Sequence, residues 1–312
     1  MKQRAITGAI MTLIFVPLLL LDVLLVPFQV VVGLLAMMAV FELIRMYERE
    51  NKLNWSLKVV LFILTAVIYI AVSNVWQPYN TTIHLMSLDI SLVLIPAILI
   101  LLVFCIFMPD LKDKGLGFSL LTVLYVGLGF GALSFLKVIG AQFIIYLLII
   151  TITTDMFAFF FGIKFGKHKM APTISPKKSW EGAIAGTAFG TIIGTLFAIT
   201  ILPAHDGTLF NLAKPEVVVP VEIMTMFDAV QVREVFVWKL LPIVLPITLS
   251  ISIIGQVGDL FASKLKRTYE IKDFGTIFPG HGGVLDRFDS AIFAGMFLVF
   301  VLKTLSLIWP GL

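Results

Sequence analysis

Nine times along this chain, apolar residues run on for close to the roughly 20 positions that a helix needs to cross a hydrocarbon core. The runs cover about 6 to 25, 27 to 44, 58 to 74, 91 to 108, 117 to 136, 142 to 161, 182 to 202, 240 to 260 and 288 to 308. Continuous apolar runs of this length exclude the shorter, alternating strands of a membrane barrel. The expected fold is therefore all-α, a polytopic integral membrane protein of about nine transmembrane helices. Composition agrees, because 59% of the residues are hydrophobic and only 13% charged, about half the charged share of a soluble domain. Lys2 and Arg4 ahead of the first run resemble the start of a secretory signal, but no small-residue cleavage site follows. The first helix is read as retained. Cys105, the one cysteine, leaves no disulfide framework and no cysteine metal site.

Nine crossings put the termini on opposite sides of the bilayer. With the N-terminus in the cytoplasm, the connections at 45–58, 109–116, 162–181 and 261–287 are cytoplasmic too. Together with Lys2 and Arg4 they hold 18 of the 23 Lys and Arg residues, as the positive-inside rule requires. The two loops richest in charge, 162–181 and 261–287, then face the cytoplasm from a cell-membrane protein. Residues 1–140 read as a helical scaffold and 141–312 as the region that carries the chemistry.

Several features read as structural. Asp22 and Pro27 mark the first hairpin, and Glu42 and Arg45 stand three apart at the end of the second run, the spacing of a helix-end ion pair. His84 lies in a short external connection without a metal-ligand neighbour. Gly182, Gly186, Gly190 and Gly194 recur every four residues, a groove that lets another backbone approach, either within the chain or in a homodimer. The stretch 203–239 is an external elaboration with interfacial character, and its His205 and Asp206 receive no role.

Chemistry concentrates between Ser263 and Asp289. Lys264, Lys266, Arg267 and Lys272, with the carboxylates Asp273, Asp286 and Asp289, surround the turn Pro279-Gly-His-Gly-Gly283, and Asp259 lies just upstream. Carboxylates beside cations and glycines suit a phosphate-bearing ligand with a divalent metal. Asp259 with Asp286 and Asp289 is the expected Mg²⁺ set. The same two acids of the last helix also complement its positive N-terminus. Asp155, deep in the sixth run, costs about 2.5 to 3.5 kcal/mol to insert, so it is expected at a polar interior, as a functional group or satisfied by neighbouring threonines. The loop 162–181 holds five lysines with Ser175, Trp180 and Glu181. Its Gly162 to Lys167 segment superficially resembles a P-loop, but the spacing is short and His168 stands where Ser or Thr belongs.

The block Ser263, Lys266, Arg267, Lys272, Asp273, Gly275, His281, Gly282, Gly283, Asp286, Arg287 and Asp289 resembles the signature of the phosphatidate cytidylyltransferase (CDP-diacylglycerol synthase) family. Asp155, Gly162, Gly166-Lys167 and Ser175-Pro-Lys-Lys-Ser-Trp-Glu-Gly182 are similar to that family's middle region. The resemblance implies conversion of CTP and phosphatidate to CDP-diacylglycerol and pyrophosphate with Mg²⁺. Under it, Asp259, Asp286 and Asp289 hold metal, while Lys266, Arg267, Lys272 and Arg287 hold phosphates with help from Lys177 and Lys178. Ser175, Trp180, Glu181, Asp155, His281, Gly282 and Gly283 are candidate substrate contacts. CTP, phosphatidate and membrane lipids are the implied partners; nucleic acid is not. A secondary transporter or channel is the rival from another class, and it explains the intramembrane acids but not the cation cluster in the loops. A CTP-dependent transferase acting on another lipid is the rival among enzymes.

Overall fold

The computed structural model describes residues 2–73, 90–107, 113–200, 241–278, 280 and 282–308. His84, the 203–239 stretch, His281 and the side chain of Cys105 lie outside this description. Nine α-helices make up nearly all of it: α1 (Lys2–Leu20), α2 (Leu25–Tyr47), α3 (Trp55–Ser73), α4 (Ser91–Phe107), α5 (Asp113–Ile139), α6 (Ala141–Phe165), α7 (Trp180–Thr200), α8 (Leu241–Thr268) and α9 (Leu285–Ile308). Among the described residues, seven helices are long and apolar enough to cross a membrane. The first and fourth carry shorter apolar stretches, Gly8–Leu20 and Ser91–Phe104. The chain is an all-α polytopic membrane protein, and its outward faces, such as Leu13, Val30, Ile106 and Phe300, are apolar and exposed as lipid contact demands.

Helix ends fall within a few residues of the apolar runs, with one informative exception. At 28 residues, α8 spans about 42 Å, well beyond the roughly 30 Å hydrocarbon layer. Its last two turns, Phe261–Thr268, therefore project past the apolar segment and carry Lys264, Lys266 and Arg267 with them. The loop between α6 and α7 also departs from expectation, because it forms a small antiparallel hairpin of β1 (Lys169–Ala171) and β2 (Ser175–Ser179). Its register is irregular: Lys169 pairs with Ser179 and Ala171 with Ser175. Met170 alone thus faces Pro176, Lys177 and Lys178, which bulge from the ladder. A bulge re-aims side chains, and here it turns Lys178 toward α8.

The core is continuous from α1 to α9, and α5 is its most buried membrane helix. Glycines make that burial possible. Gly127 and Gly131, one turn apart, admit Ile68 and Val72 of α3, while Gly129 on another face admits Ile292 of α9. Buried polar ties fix the helix pairs, since an unpaired polar group inside a bilayer protein is costly. Tyr69 donates to the Gln29 carbonyl at 2.5 Å, and Gln29 Nε2 donates to the Ser73 carbonyl at 3.1 Å. Tyr146 meets Thr248 at 2.6 Å, Thr154 meets Ser252 at 2.7 Å, and Gln256 Nε2 donates to Thr187 Oγ1 at 2.7 Å. These lock α6, α7 and α8 together.

The four-residue glycine ladder of α7 faces α6 within the same chain. A β carbon at Gly186 would stand 2.5 Å from the Thr154 carbonyl oxygen and 2.8 Å from the Ala158 Cβ. Backbone cannot retreat as a flexible side chain can. Gly186→Val should therefore cost about 1 to 3 kcal/mol or more through overpacking, read as a lowered melting temperature and reduced yield of monodisperse protein in detergent.

Candidate active site

Five elements deliver charged groups to one end of the bundle: the end of α2, the end of α6, the hairpin that follows it, the end of α8 and the start of α9. The α8–α9 loop folds back between them. The hairpin is tied to α8 twice. Arg267 Nε donates to the Ile174 carbonyl at 3.2 Å, and Lys178 Nζ lies 2.6 Å from Asp259 Oδ2. Gly255 and Gly258 thin α8 just before Asp259, and Gly258 abuts the Asp289 carbonyl and the Phe293 side chain. That close approach brings Asp259 and Asp289 onto facing helix ends.

The acids divide into two groups. Asp155 of α6, Asp259 of α8 and Asp289 of α9 act on one another electrostatically. Besides the Lys178 pair of Asp259, each has a local hydrogen bond: Ser290 Oγ to Asp155 at 3.4 Å, Ser263 Oγ to Asp259 at 3.3 Å, and the Ser290 backbone N–H to Asp289 at 2.8 Å. Asp155 is exposed on α6 beside exposed Ile152, Met156 and Phe159. Asp286 behaves differently. Its side chain is 3% exposed, Oδ1 lies 2.7 Å from Lys266 Nζ, and Oδ2 accepts the backbone N–H groups of Phe274 at 2.8 Å and Gly283 at 2.9 Å. Asp286 therefore pins the α8–α9 loop across its width. Lys266 also lies over the Phe274 ring, 5.2 Å from its centroid.

The turn that closes this loop is backbone chemistry. Phe278 and Gly282 exchange hydrogen bonds of 3.0 and 3.1 Å, and Gly280 and Gly282 take φ of +76° and +91°, values that favour glycine. Around it, Lys272, Asp273 and Arg287 are exposed, as are Lys177 on the bulge and Arg267. Ser175 is half-buried at the start of β2. Trp180 is exposed at the start of α7. Glu181 accepts the His168 backbone N–H at 3.1 Å and meets its Nδ1 at 2.6 Å, which secures the base of the hairpin.

Two residues were not anticipated at this end. Glu42 does not pair with Arg45, which is exposed. It is itself 2% exposed and accepts the backbone N–H groups of Val284 at 2.8 Å and Leu285 at 3.1 Å. Free amides at a helix start are a stronger partner inside a bundle than an arginine that can reach solvent. Tyr125 of α5 is buried beside Phe261 and Phe293, within electrostatic reach of Asp259 and Asp289, and its hydroxyl has no partner among the described residues. A carboxylate at the end of an apolar run was a usable signal for Glu42. Nothing around Tyr125 in the sequence distinguishes it from a core tyrosine.

Asp155, Asp259 and Asp289 are the chemically suitable oxygen donors for a hard cation at this end, with Lys178 and Lys266 beside them as partial counter-charge. Among the described residues, no three His, Cys, Asp or Glu form a group that could hold a metal ion by themselves, a complete protein site. Mg²⁺ does not require one, since it retains waters and takes ligands from substrate phosphates.

Removing one partner of a buried pair leaves the other charge uncompensated. Lys266→Met should therefore destabilise the protein by about 3 kcal/mol. Lys178→Met, whose pair with Asp259 is about a quarter exposed, should cost about 1 kcal/mol or less. Thermal unfolding of the two variants in the same detergent checks the difference.

Comparisons with known proteins bear on this arrangement. The sequence pattern of the cytidylyltransferase family matches residues 2–305. A phosphatidate cytidylyltransferase of Bacillus subtilis (strain 168) is 31% identical over 310 residues, covering 98% of this chain and 99% of that protein. Proteins of the same name from Staphylococcus aureus (strain COL) and Staphylococcus haemolyticus (strain JCSC1435) are 32% and 33% identical over 294 residues, covering 94% of this chain and 95% of each relative.

Proposed function

This chain belongs to the cytidylyltransferase family, and we propose on that premise that it transfers the cytidylyl group of CTP to phosphatidate, releasing pyrophosphate and forming CDP-diacylglycerol. The observation that carries this reading is the meeting of Asp155, Asp259 and Asp289 with Lys178 and Lys266 at one end of an apolar bundle. A phosphatidate oxygen attacks the α-phosphorus of CTP in line. The bond from that phosphorus to the bridging oxygen breaks, and pyrophosphate leaves with the electron pair. The attacking oxygen is already ionised, so the protein needs no general base. Its task is to bring two anions together and hold them aligned.

Lys266, Arg267, Lys272 and Arg287, with Lys177 and Lys178, supply the positive charge for that meeting. Asp259 and Asp289, with Asp155 alongside, would hold Mg²⁺, which when bound neutralises triphosphate charge and stabilises the leaving pyrophosphate. Asp286 contributes chiefly by holding the loop, because its Oδ2 is taken by two amides and its Oδ1 by Lys266. Gly282 and Gly283 of the glycine turn, and the hairpin base with Ser175, Trp180 and Glu181, would border the place where the nucleotide and lipid head meet. The exposed apolar residues flanking Asp155 let acyl chains stay in the bilayer while the head group reaches the acids. The site faces the cytoplasm, the side on which CTP is available.

Purified protein given CTP, phosphatidate and Mg²⁺ should release pyrophosphate and form CDP-diacylglycerol; no product under any of these conditions refutes the reading. Asp259→Asn and Asp289→Asn should each lower kcat by about a hundredfold or more with the melting temperature nearly kept. Lys58→Ala, which removes a surface pair with Glu48, should leave kcat within about twofold. Titration with EDTA should abolish turnover, and added Mg²⁺ should restore it.

A further inference from the structure

The buried carboxylate of Glu42 belongs to α2, in the half of the chain whose sequence carries none of the cation-rich motifs, yet it ends inside the α8–α9 loop. Its two oxygens take the backbone N–H groups of Val284 and Leu285, the first donors of α9. The preceding donor, Gly283 N–H, goes to Asp286. Three consecutive amides at the start of α9 are thus each bound to a carboxylate, two of them from a residue more than 240 positions away. A negative group at a helix N-terminus also complements the helix dipole.

Glu42 touches both limbs of the loop. A β carbon at Gly275, on the outgoing limb, or at Gly283, on the returning limb, would collide with the Glu42 carboxylate. These two glycines are therefore places where the loop closes onto the acid. Glu42 and Asp286 are also electrostatic neighbours, so two like charges are held close together by the amides and by Lys266. Such an arrangement is costly unless each oxygen is satisfied, and here each oxygen is. Its consequence is geometric. Leu285 begins α9, and Asp289 follows it by one helical turn, so whatever fixes the amide of Leu285 fixes where Asp289 points.

We propose that Glu42 is a positioning residue for cytidylyl transfer: it clasps the two limbs of the α8–α9 loop and sets the start of α9, so that Asp289 faces Asp259. The proposal rests on the functional reading above for its kinetic consequence but not for its structural one. Glu42→Gln keeps the shape of the side chain and turns one acceptor into an amino group opposed to a backbone N–H. Glu42→Asp keeps both acceptors on a shorter stem. Gln29→Leu, on the same helix, removes a buried tie to Ser73 and serves as the control for general destabilisation.

The test uses the full-length protein in lipid nanodiscs. Two quantities are read: steady-state kinetics against CTP and Mg²⁺, and the rate of tryptic cleavage after exposed Lys272, followed by fragment mass. Glu42→Gln should lower kcat by about a hundredfold, the scale of a misplacement near 1 Å. It should also raise the Mg²⁺ concentration for half-maximal rate and speed cleavage after Lys272 several-fold. Glu42→Asp should recover part of each loss, and Gln29→Leu should lower the melting temperature without moving the Mg²⁺ requirement or the cleavage rate. Unchanged kinetics and cleavage in Glu42→Gln overturn the proposal, and so does a matching change in Gln29→Leu. If Glu42→Gln does not fold, Glu42→Asp decides, and wild-type values in it overturn the proposal. Wild-type protein that makes no CDP-diacylglycerol defeats the functional reading, whereas the cleavage rates still decide whether Glu42 holds the loop.

Discussion

Carboxylates crowded at the end of an apolar bundle repel one another, and most of what is distinctive in this fold follows from containing that repulsion. Asp155, Asp259 and Asp289 arrive on three different helices and act on one another, with Lys178 and Lys266 as partial counter-charge. Glu42 and Asp286 sit close by but are occupied, one by two helix-start amides and the other by two loop amides and a lysine. The structure thus separates two acids whose oxygens are taken by loop and helix-start donors from three that are only partly satisfied. Substrates bearing several negative charges cannot approach such a trio unaided. Lysines and arginines stand close by, on the projecting end of α8, on the hairpin bulge and at the start of α9.

Rigidity behind the acids comes from small residues and buried hydroxyls. Without a hydrophobic drive between helices in a bilayer, close backbone approach and hydrogen bonds must do the holding. The α7 ladder against α6, the three glycines of α5 and the Thr154, Ser252 and Thr187 contacts supply both. Because α5 touches α3 and α9 through opposite faces, the N-terminal helices are mechanically continuous with the acids. The scaffold and the chemical region share one core rather than forming separable units.

Much of this was legible beforehand. Apolar runs located the helices to within a few residues, since length and hydrophobicity are local properties read directly from order along the chain. The cation-rich loops and the acids near them were legible too, because charged residues are scarce in such a protein and cluster only where needed. The extension of α8 to Thr268 was not, because a helix that leaves the membrane loses the apolar signal while keeping its backbone bonds. The hairpin of the α6–α7 loop was missed for a similar reason: β1 has only three residues, too few for alternation to register.

Sequence alone determined that this is a helical membrane protein whose charged residues gather in two loops and the helix ends beside them, because hydrophobic length and charge placement need no knowledge of what packs on what. Tertiary structure alone decided which partners each acid meets. Asp286 and Asp289 are three residues apart with the same side chain, yet one is consumed by amides and the other faces Asp259. Glu42, with an arginine in reach along its own helix, instead caps a helix begun more than 240 residues later. A carboxylate takes the partner that best replaces its lost water, and for a buried group that partner is set by neighbours in space.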